Sequence, residues 1–176
     1  MNAFNNSLIL IGMPGAGKST LGVQLAKILA KDFIDTDQLL EAQQNISLQT
    51  ILEIQGYKKL RALEEELLLH TRFSHQVIAT GGSAVYSAKS MAHLKHIGPM
   101  IFLDVAQPEL ERRIHNMDQR GIARAPDQSF TDIYNERRPL YLQHAEIVVD
   151  CNDKTKMEII DEIIYQEGHG YTEKDA

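Results

Sequence analysis

The chain has little cysteine and no segment that could serve as a membrane span. Cys151 is the one cysteine among 176 residues. A lone thiol excludes an internal disulfide and a cysteine-based zinc site, and it suits a reducing cytosol. No apolar run reaches the ~20 residues that a spanning helix needs. The first residues show no basic segment followed by the apolar core of a signal peptide, and no internal repeat is present. The seven histidines fall at no metal-ligand spacing, and neither a nucleophile elbow nor a Cys–His pairing stands out. Basic charge is in deficit, with 18 Lys+Arg against 24 Asp+Glu and a net charge of −6. That argues against a broad nucleic-acid or anionic-membrane surface. The expectation is a cytoplasmic monomer with small-molecule partners, no nucleic acid and no membrane.

What is present begins near the N-terminus. Gly12-Met13-Pro14-Gly15-Ala16-Gly17-Lys18-Ser19-Thr20 fits G-x-x-x-x-G-K-[ST]. A short apolar run, Ser7-Leu8-Ile9-Leu10-Ile11, precedes it, and apolar residues at helical spacing follow through Leu29. Strand, glycine-rich turn and helix start are the context in which this pattern binds phosphate. Backbone N–H groups of Gly15, Ala16 and Gly17 can close on phosphate oxygens, helped by the partial positive charge of the helix N-terminus. Lys18 reaches the β- and γ-phosphates of a nucleotide, and the Ser19 hydroxyl ligates Mg²⁺.

Apolar or β-branched runs at 7–11, 33–34, 76–80, 99–105 and 146–150 read as strands. Between them the spacing predicts helices over 38–44, 47–53, 57–71, 88–95, 109–117, 130–136 and 156–166. Gly56 separates the second and third of these, and Pro139 should stop the helix that begins at 130. Residues 119–129 read as a mobile loop, and 167–176 as a polar tail. Strands that are apolar on both faces and alternate with helices predict a parallel sheet covered on both sides. The chain is therefore expected to be one α/β domain over 1–176. Its ligands should lie at the carboxyl ends of the strands, where the phosphate loop, Asp35/Asp37 and Gly81/Gly82 all fall.

Phosphoryl transfer needs an acceptor in line, a metal on the phosphates, and cations around the transferring group. Asp35 and Asp37 alternate along what reads as an extended segment. One could hold the metal shell and the other take a proton from an acceptor hydroxyl; alternatively, both cap the next helix. Arg61 is an anion ligand or a solvated partner of Glu64, Glu65 and Glu66. Arg112, Arg113, Arg120, Arg124, Arg137 and Arg138 crowd the last third of an acidic chain, and their planar forks suit carboxylate and phosphate. Gly81-Gly82 would let a substrate approach the backbone and accept its N–H groups.

The order of these motifs resembles the shikimate kinases, small phosphate-loop enzymes of the nucleoside-monophosphate-kinase-like group, over nearly the whole chain. Phe33-Ile34-Asp35-Thr36-Asp37 is similar to that family's F-x-D-x-D. Gly56, Arg61 and Glu64 fit G-E-x-x-F-R-x-x-E, Ala79-Thr80-Gly81-Gly82 fits A-T-G-G-G, and Glu136-Arg137-Arg138-Pro139-Leu140-Tyr141 fits E-R-x-P-L-Y. The resemblance implies a three-layer αβα phosphate-loop kinase fold with about five parallel strands. It implies a lid at about 113–129 and an acceptor-binding region at about 35–64.

The implied activity is transfer of the ATP γ-phosphate to the 3-hydroxyl of shikimate, with Mg²⁺, on the route to chorismate and aromatic amino acids. The implied site follows. Asp35 and Ser19 serve the metal. Asp37 meets the acceptor hydroxyls as base. Arg61 and Arg137 clamp the acceptor carboxylate beside Gly81 and Gly82. Residues 15–20 hold ATP, Arg120 closes over the transferring phosphate, and Arg113 and Asp153 flank the adenine.

The chain also departs from the pattern. Tyr57 and Leu60 stand where the family has Glu and Phe, so an aromatic wall against the substrate ring is lost. Ser83 replaces the third glycine, and its Cβ is expected to narrow the turn or to demand a different backbone conformation. The family's Arg-Pro-Leu becomes Arg120-Gly121-Ile122-Ala123-Arg124-Ala125-Pro126. These changes leave open a kinase for another anionic alcohol, such as gluconate. A non-catalytic nucleotide-binding module is a further reading, against which Asp37, Arg61 and Arg137 together argue.

Overall fold

Strands β1 (Leu8–Ile11), β2 (Asp32–Asp35), β3 (Gln76–Ala79), β4 (Met100–Asp104) and β5 (Ile147–Asp150) form one sheet in the order β2-β3-β1-β4-β5. This is a computed structural model, and it describes residues 7–114 and 121–169. Every strand pair is parallel. The central strand β1 is buried throughout, whereas the edge strands β2 and β5 carry exposed positions. Among the described residues the helices are α1 (Lys18–Ile28), α2 (Thr36–Gln44), α3 (Leu48–His70), α4 (Ala88–Lys95), α5 (Gln107–Arg113), α6 (Phe130–His144) and α7 (Lys156–His169). A 3₁₀ turn, Ala84–Tyr86, follows β3.

Side-chain alternation assigns the layers. Leu10 is in register with Ile101, so Phe102 points to the opposite face. On the Leu10 face lies α1, where Gly22 approaches Leu10 and Phe33. On the other face Tyr141 of α6 stacks on Phe102, with ring centroids 5.1 Å apart. The result is the three-layer αβα arrangement expected from the strand–helix alternation.

Three local departures have physical causes. Helix α2 starts at Thr36, because Asp35 Oδ1 accepts from Asp37 N (3.0 Å) and Gln38 N (3.3 Å) as an N-cap. Asp37 is therefore in a first helical turn and not on an extended segment. Helix α6 does not stop before Pro139 but runs through it to His144. A proline inside a helix costs about 3 kcal/mol. Here the helix is pinned on both sides of the proline, by Arg138 before it, whose fork donates to Asp104 Oδ1 and Oδ2 at 3.0 and 2.6 Å, and by buried Tyr141 after it. The carbonyl that proline leaves unpaired belongs to Asn135, and both residues face solvent. Helix α7 continues to His169, three residues beyond the predicted end at 166. The kink in α3 falls at Gly56 (φ 77°, ψ 166°), as predicted, and Ser47 caps its start.

The phosphate loop is aimed by how closely α1 lies on the sheet. A Cβ at Gly22 would come within 2.5 Å of Phe33 Cε2. Gly22→Val should lift α1 from β2, lower stability by about 1–3 kcal/mol as overpacking does, and raise the KM for ATP. Thermal melts and initial-rate kinetics check both effects.

Candidate active site

One cleft of about 750 Å³ opens at the carboxyl ends of the strands. Pro14 to Leu21, Asp35, Asp37, Glu64, Gly82, Ser83, Arg113 and Arg137 contribute to its wall, with Ile122 and Ala123 from the loop before α6. Segments far apart in sequence thus converge as the strand-end rule requires.

The phosphate loop leaves β1 through glycines with positive φ: Gly12 (146°), Gly15 (83°) and Gly17 (94°). Gly17 is the N-cap of α1 and lacks a capping side chain, so the helix N-terminus faces the cleft with N–H groups and partial positive charge. Lys18 curls back over the loop, its Nζ donating to Gly12 O (2.7 Å) and Met13 O (2.9 Å). Burial lowers its pKa to about 8, against the opposing pull of Asp37 and Asp35. An ammonium held out of water by carbonyls alone gains from an arriving phosphate.

Asp35 divides its two oxygens between two tasks. Oδ1 caps α2, and Oδ2 accepts from Ser19 Oγ at 2.5 Å. The capping reading and the metal-shell reading are thus compatible within one side chain. Ser19 and Asp35 offer hard oxygen donors beside the phosphate loop, the donor type that suits Mg²⁺. Among the described residues no group of three acidic, His or Cys side chains could hold an ion alone. A metal there would share its shell with phosphate and water.

Asp37 lies on the next turn face. Its Oδ1 is buried with no hydrogen-bond partner. Burial, followed by the Asp35 charge, raises its pKa to about 6. Glu64 of α3 approaches from the other side of Gly81, where a Cβ would sit 2.3 Å from Glu64 Oε1 and 2.5 Å from Asp37 Oδ1. Gly81 is thus required by the close approach of two carboxylates. Its own N–H donates to Thr36 Oγ1 (3.0 Å), so its contribution to the cleft is space and not a donor. Glu64 is 8% exposed, and burial, followed by Asp37, raises its pKa to about 7.

Ser83 does not strain the turn. Its backbone is right-handed (φ −92°, ψ −5°), a conformation open to any residue, and its Oγ donates to Glu64 Oε2. The serine that replaces a glycine thus becomes a partner for a buried carboxylate.

Arg61 and Arg137 come from α3 and α6 and meet on one atom. Arg61 Nη2 donates to Ala123 O at 3.1 Å, and Arg137 Nη2 donates to the same oxygen at 2.7 Å. Arg137 is 1% exposed and lies against Gly82, where a Cβ would be 3.1 Å from Nη1. Arg61 stands behind the cleft wall, covered by that carbonyl. Leu60 is buried in the core, so the aromatic surface near Arg61 comes from Tyr57 and Tyr86 instead.

Arg113 lines the nucleotide end of the cleft, donating to Glu109 Oε1 (2.7 Å) and Gly15 O (3.4 Å). Asp153 makes a left-handed turn (φ 53°) outside the cleft wall, and the three residues after it, Lys154 to Lys156, line the cleft. Arg120 lies outside the described residues. Arg138 is turned to Asp104 and holds α6 on the sheet.

Sequence reasoning named neither Glu64, Ser83 nor Tyr86 as a site residue. For Glu64 a signal existed: it lies four residues after Leu60 and three before Leu67, inside the apolar stripe of α3, where a solvated charge does not belong.

A phosphate loop facing an acidic residue and Arg137 across one cleft, with Arg61 behind the wall beside it, suits phosphoryl transfer to a small anionic acceptor, and the class is that of the phosphate-loop kinases. The profile of the shikimate kinase family matches residues 14–166. A shikimate kinase from Nitrosospira multiformis is 33% identical over 167 residues, which is 93% of this chain and 86% of that one. The solved shikimate kinase from Acinetobacter baumannii, in complex with shikimate, superposes with a TM-score of 0.86 at 27% identity, covering 97% of this chain and 98% of that one. A gluconokinase from Sinorhizobium meliloti shares the fold alone, with a TM-score of 0.50 at 19% identity over 94% of this chain and 93% of that one. The chain belongs to the shikimate kinase family and is an ATP-dependent kinase acting on shikimate. The gluconate alternative gains nothing beyond the shared fold.

The raised pKa of Glu64 has a consequence for stability. The folded chain binds this proton more tightly than the unfolded chain, so its contribution is most favourable below the ordinary value of 4.5 and is lost as pH rises to about 7. Asp37 acts in the same direction. The ligand-free protein should melt at higher temperature as pH falls from 8 towards 5.5. Glu64→Gln should flatten that slope and stabilise the protein above pH 7, as read by calorimetry across pH.

Proposed function

We propose that the 3-hydroxyl of shikimate is phosphorylated in this cleft by the following division of labour. Main-chain amides of 15–20 and the Lys18 ammonium hold the β- and γ-phosphates of ATP, with Arg113 and Asp153 towards the adenine. Ser19 and Asp35 would hold Mg²⁺, which would supply neutralisation of the phosphate charge. Arg61 and Arg137 grip the acceptor carboxylate, with Gly81 and Gly82 leaving room for the ring. Asp37 accepts the proton of the 3-hydroxyl as that oxygen bonds to the γ-phosphorus and the bond to the ADP oxygen breaks. With a pKa raised to about 6, its carboxylate is ionised at neutral pH yet basic enough to take a proton. Arg120, in the lid over 113–129, neutralises the transferring group. Product enters the synthesis of chorismate and the aromatic amino acids. All these side chains come from one chain, which suits a monomer working in the cytoplasm. Among the described residues no helix is long and apolar enough to cross a membrane.

The observation that carries the acceptor assignment is the convergence of two guanidinium groups on the Ala123 carbonyl. Two cations that share one neutral oxygen form a receptor for a carboxylate, which accepts two forks more strongly than a carbonyl does. A nucleotide-binding module would need neither arginine.

Initial-rate kinetics test the reading. Truncating one partner of a buried charged pair costs about 2–5 kcal/mol, so Arg137→Ala should raise the KM for shikimate on the order of 100-fold and leave the KM for ATP within a few-fold. Arg61→Ala should act in the same direction. Asp37→Asn should lower kcat by about 10²–10⁴ in a protein that still binds ATP. Unchanged shikimate kinetics in both arginine variants would remove the acceptor assignment, and wild-type turnover in Asp37→Asn would remove the base.

A further inference from the structure

Arg61 and Arg137 are like charges brought to one oxygen, and among the described residues neither is paired with a carboxylate within 4.0 Å. Something other than ion pairing must hold them together. Tyr86, at the end of the 3₁₀ turn that follows Gly81-Gly82, touches both. The Arg61 guanidinium lies over its ring at 3.8 Å from the centroid, and the Arg137 guanidinium is 5.2 Å from the same centroid. The Tyr86 hydroxyl also accepts from Arg137 Nε at 3.3 Å. Tyr57 approaches the Arg61 guanidinium as well, at 5.1 Å. The Nε of Arg61 is buried with no hydrogen-bond partner, so its orientation is set by the rings and by one bond to Ala123.

We infer that Tyr86 is a positioning residue for acceptor binding: its ring face and hydroxyl hold the two guanidinium groups side by side, ready for one carboxylate. The inference rests on the reading that Arg61 and Arg137 bind the acceptor. The electron-rich face of the ring attracts both cations and offsets their mutual repulsion, an effect that grows as water is excluded. Stacking covers a face of the Arg61 plane and holds its Nη2 edge on the Ala123 carbonyl that it shares with Arg137, so little side-chain freedom is lost when a carboxylate replaces that carbonyl. The turn that ends in Tyr86, Ala84–Tyr86, follows directly on the glycines beside Asp37 and Glu64. Tyr57 contributes from further away, and its share is smaller.

The test uses the full chain in five variants: Tyr86→Leu, Tyr86→Phe, Tyr86→Trp, Arg61→Ala and Arg137→Ala. Shikimate and ATP kinetics are measured together with calorimetric binding of shikimate and thermal melts. Tyr86→Leu should raise both the KM and the dissociation constant for shikimate by about tenfold, within the range of a desolvated cation–π contact. The KM for ATP should stay within twofold and kcat within about threefold. Tyr86→Phe retains the ring and loses the hydroxyl, so it should recover most of the shikimate affinity. A Tyr86→Leu protein that melts earlier but binds shikimate as the wild type does would overturn the inference, because it would show a packing role alone. So would equal loss of ATP and shikimate affinity, or a Tyr86→Phe protein as impaired as Tyr86→Leu. If Tyr86→Leu does not fold, Tyr86→Phe and Tyr86→Trp decide: a large shikimate defect in the phenylalanine variant with normal ATP kinetics refutes the ring's role, and retained affinity in both supports it. The arginine variants separate the two claims. Normal shikimate binding in both of them removes the acceptor reading itself. Defective arginine variants beside a normal Tyr86→Leu remove only the role of Tyr86.

Discussion

Charge held out of water at the ends of a parallel sheet is the constraint on which this site depends. Lys18, Glu64 and Arg137 are buried, and Asp37 has a buried oxygen. An ion taken from water costs several kcal/mol unless partners replace its hydration. Here the partners are mostly neutral: carbonyls for Lys18 and for both arginines, a hydroxyl for Glu64. Neutral partners are weaker than charged ones, so the ligand-free cleft is an electrostatically unfinished arrangement. Under the proposed division of labour, phosphates at one end and a carboxylate at the other complete it. The fold supplies what such an arrangement needs, namely rigid elements on both faces of the sheet that keep unlike and like charges from relaxing away.

The same constraint explains the role of each carboxylate. Asp35 is engaged with a helix N-terminus and the Ser19 hydroxyl, so its charge is well partnered and it suits a metal. Asp37 has one oxygen with no partner, and its charge is correspondingly less stable and more basic. Two residues apart on the chain, they are separated in character by which of them caps the helix. Environment, more than identity, divides acid–base work between carboxylates. The proton affinity of Asp37 is kept high by burial, Asp35 and Glu41 and limited by Lys18 and Arg137, and its charge in turn raises the proton affinity of Glu64 across Gly81.

How much of this could be read from the residues follows from how local each cause is. The phosphate loop works through backbone amides and glycine dihedrals within nine residues, so its pattern is nearly its structure. Parallel-strand topology follows from apolar runs and their alternation with helices, and that too was legible. Asp37 was misplaced on an extended segment because the cap that starts α2 belongs to Asp35, and carboxylates at a strand end look alike. Pro139 was read as a helix stop because the packing of Tyr141 on Phe102 and the fork from Arg138 to Asp104 come from a strand over thirty positions away. The Glu64–Ser83 pair spans 19 residues and the Tyr86–Arg137 bond spans 51. No local pattern announces such pairs. Only the intrusion of Glu64 into an apolar stripe gave a hint.

The departures from the family pattern make sense as one rearrangement. A leucine at 60 was expected to strip the pocket of an aromatic wall, and in the fold Leu60 goes into the core. Aromatic surface enters from two other positions: Tyr57, one turn earlier on α3, and Tyr86, beyond the glycine turn. Ser83 adds a hydroxyl on the same turn and uses it to satisfy Glu64. The loop before α6 contributes the carbonyl of Ala123, on which both arginines close. Each change taken singly looks like the loss of a contact in the family pattern. Taken together they keep the physical requirement, two guanidinium groups fixed beside a basic carboxylate, and meet it with ring faces behind Arg61 in place of a ring against the substrate. The identity of the acceptor can therefore be retained while the residues that shape its pocket are exchanged, because what the acceptor senses is the position of charge.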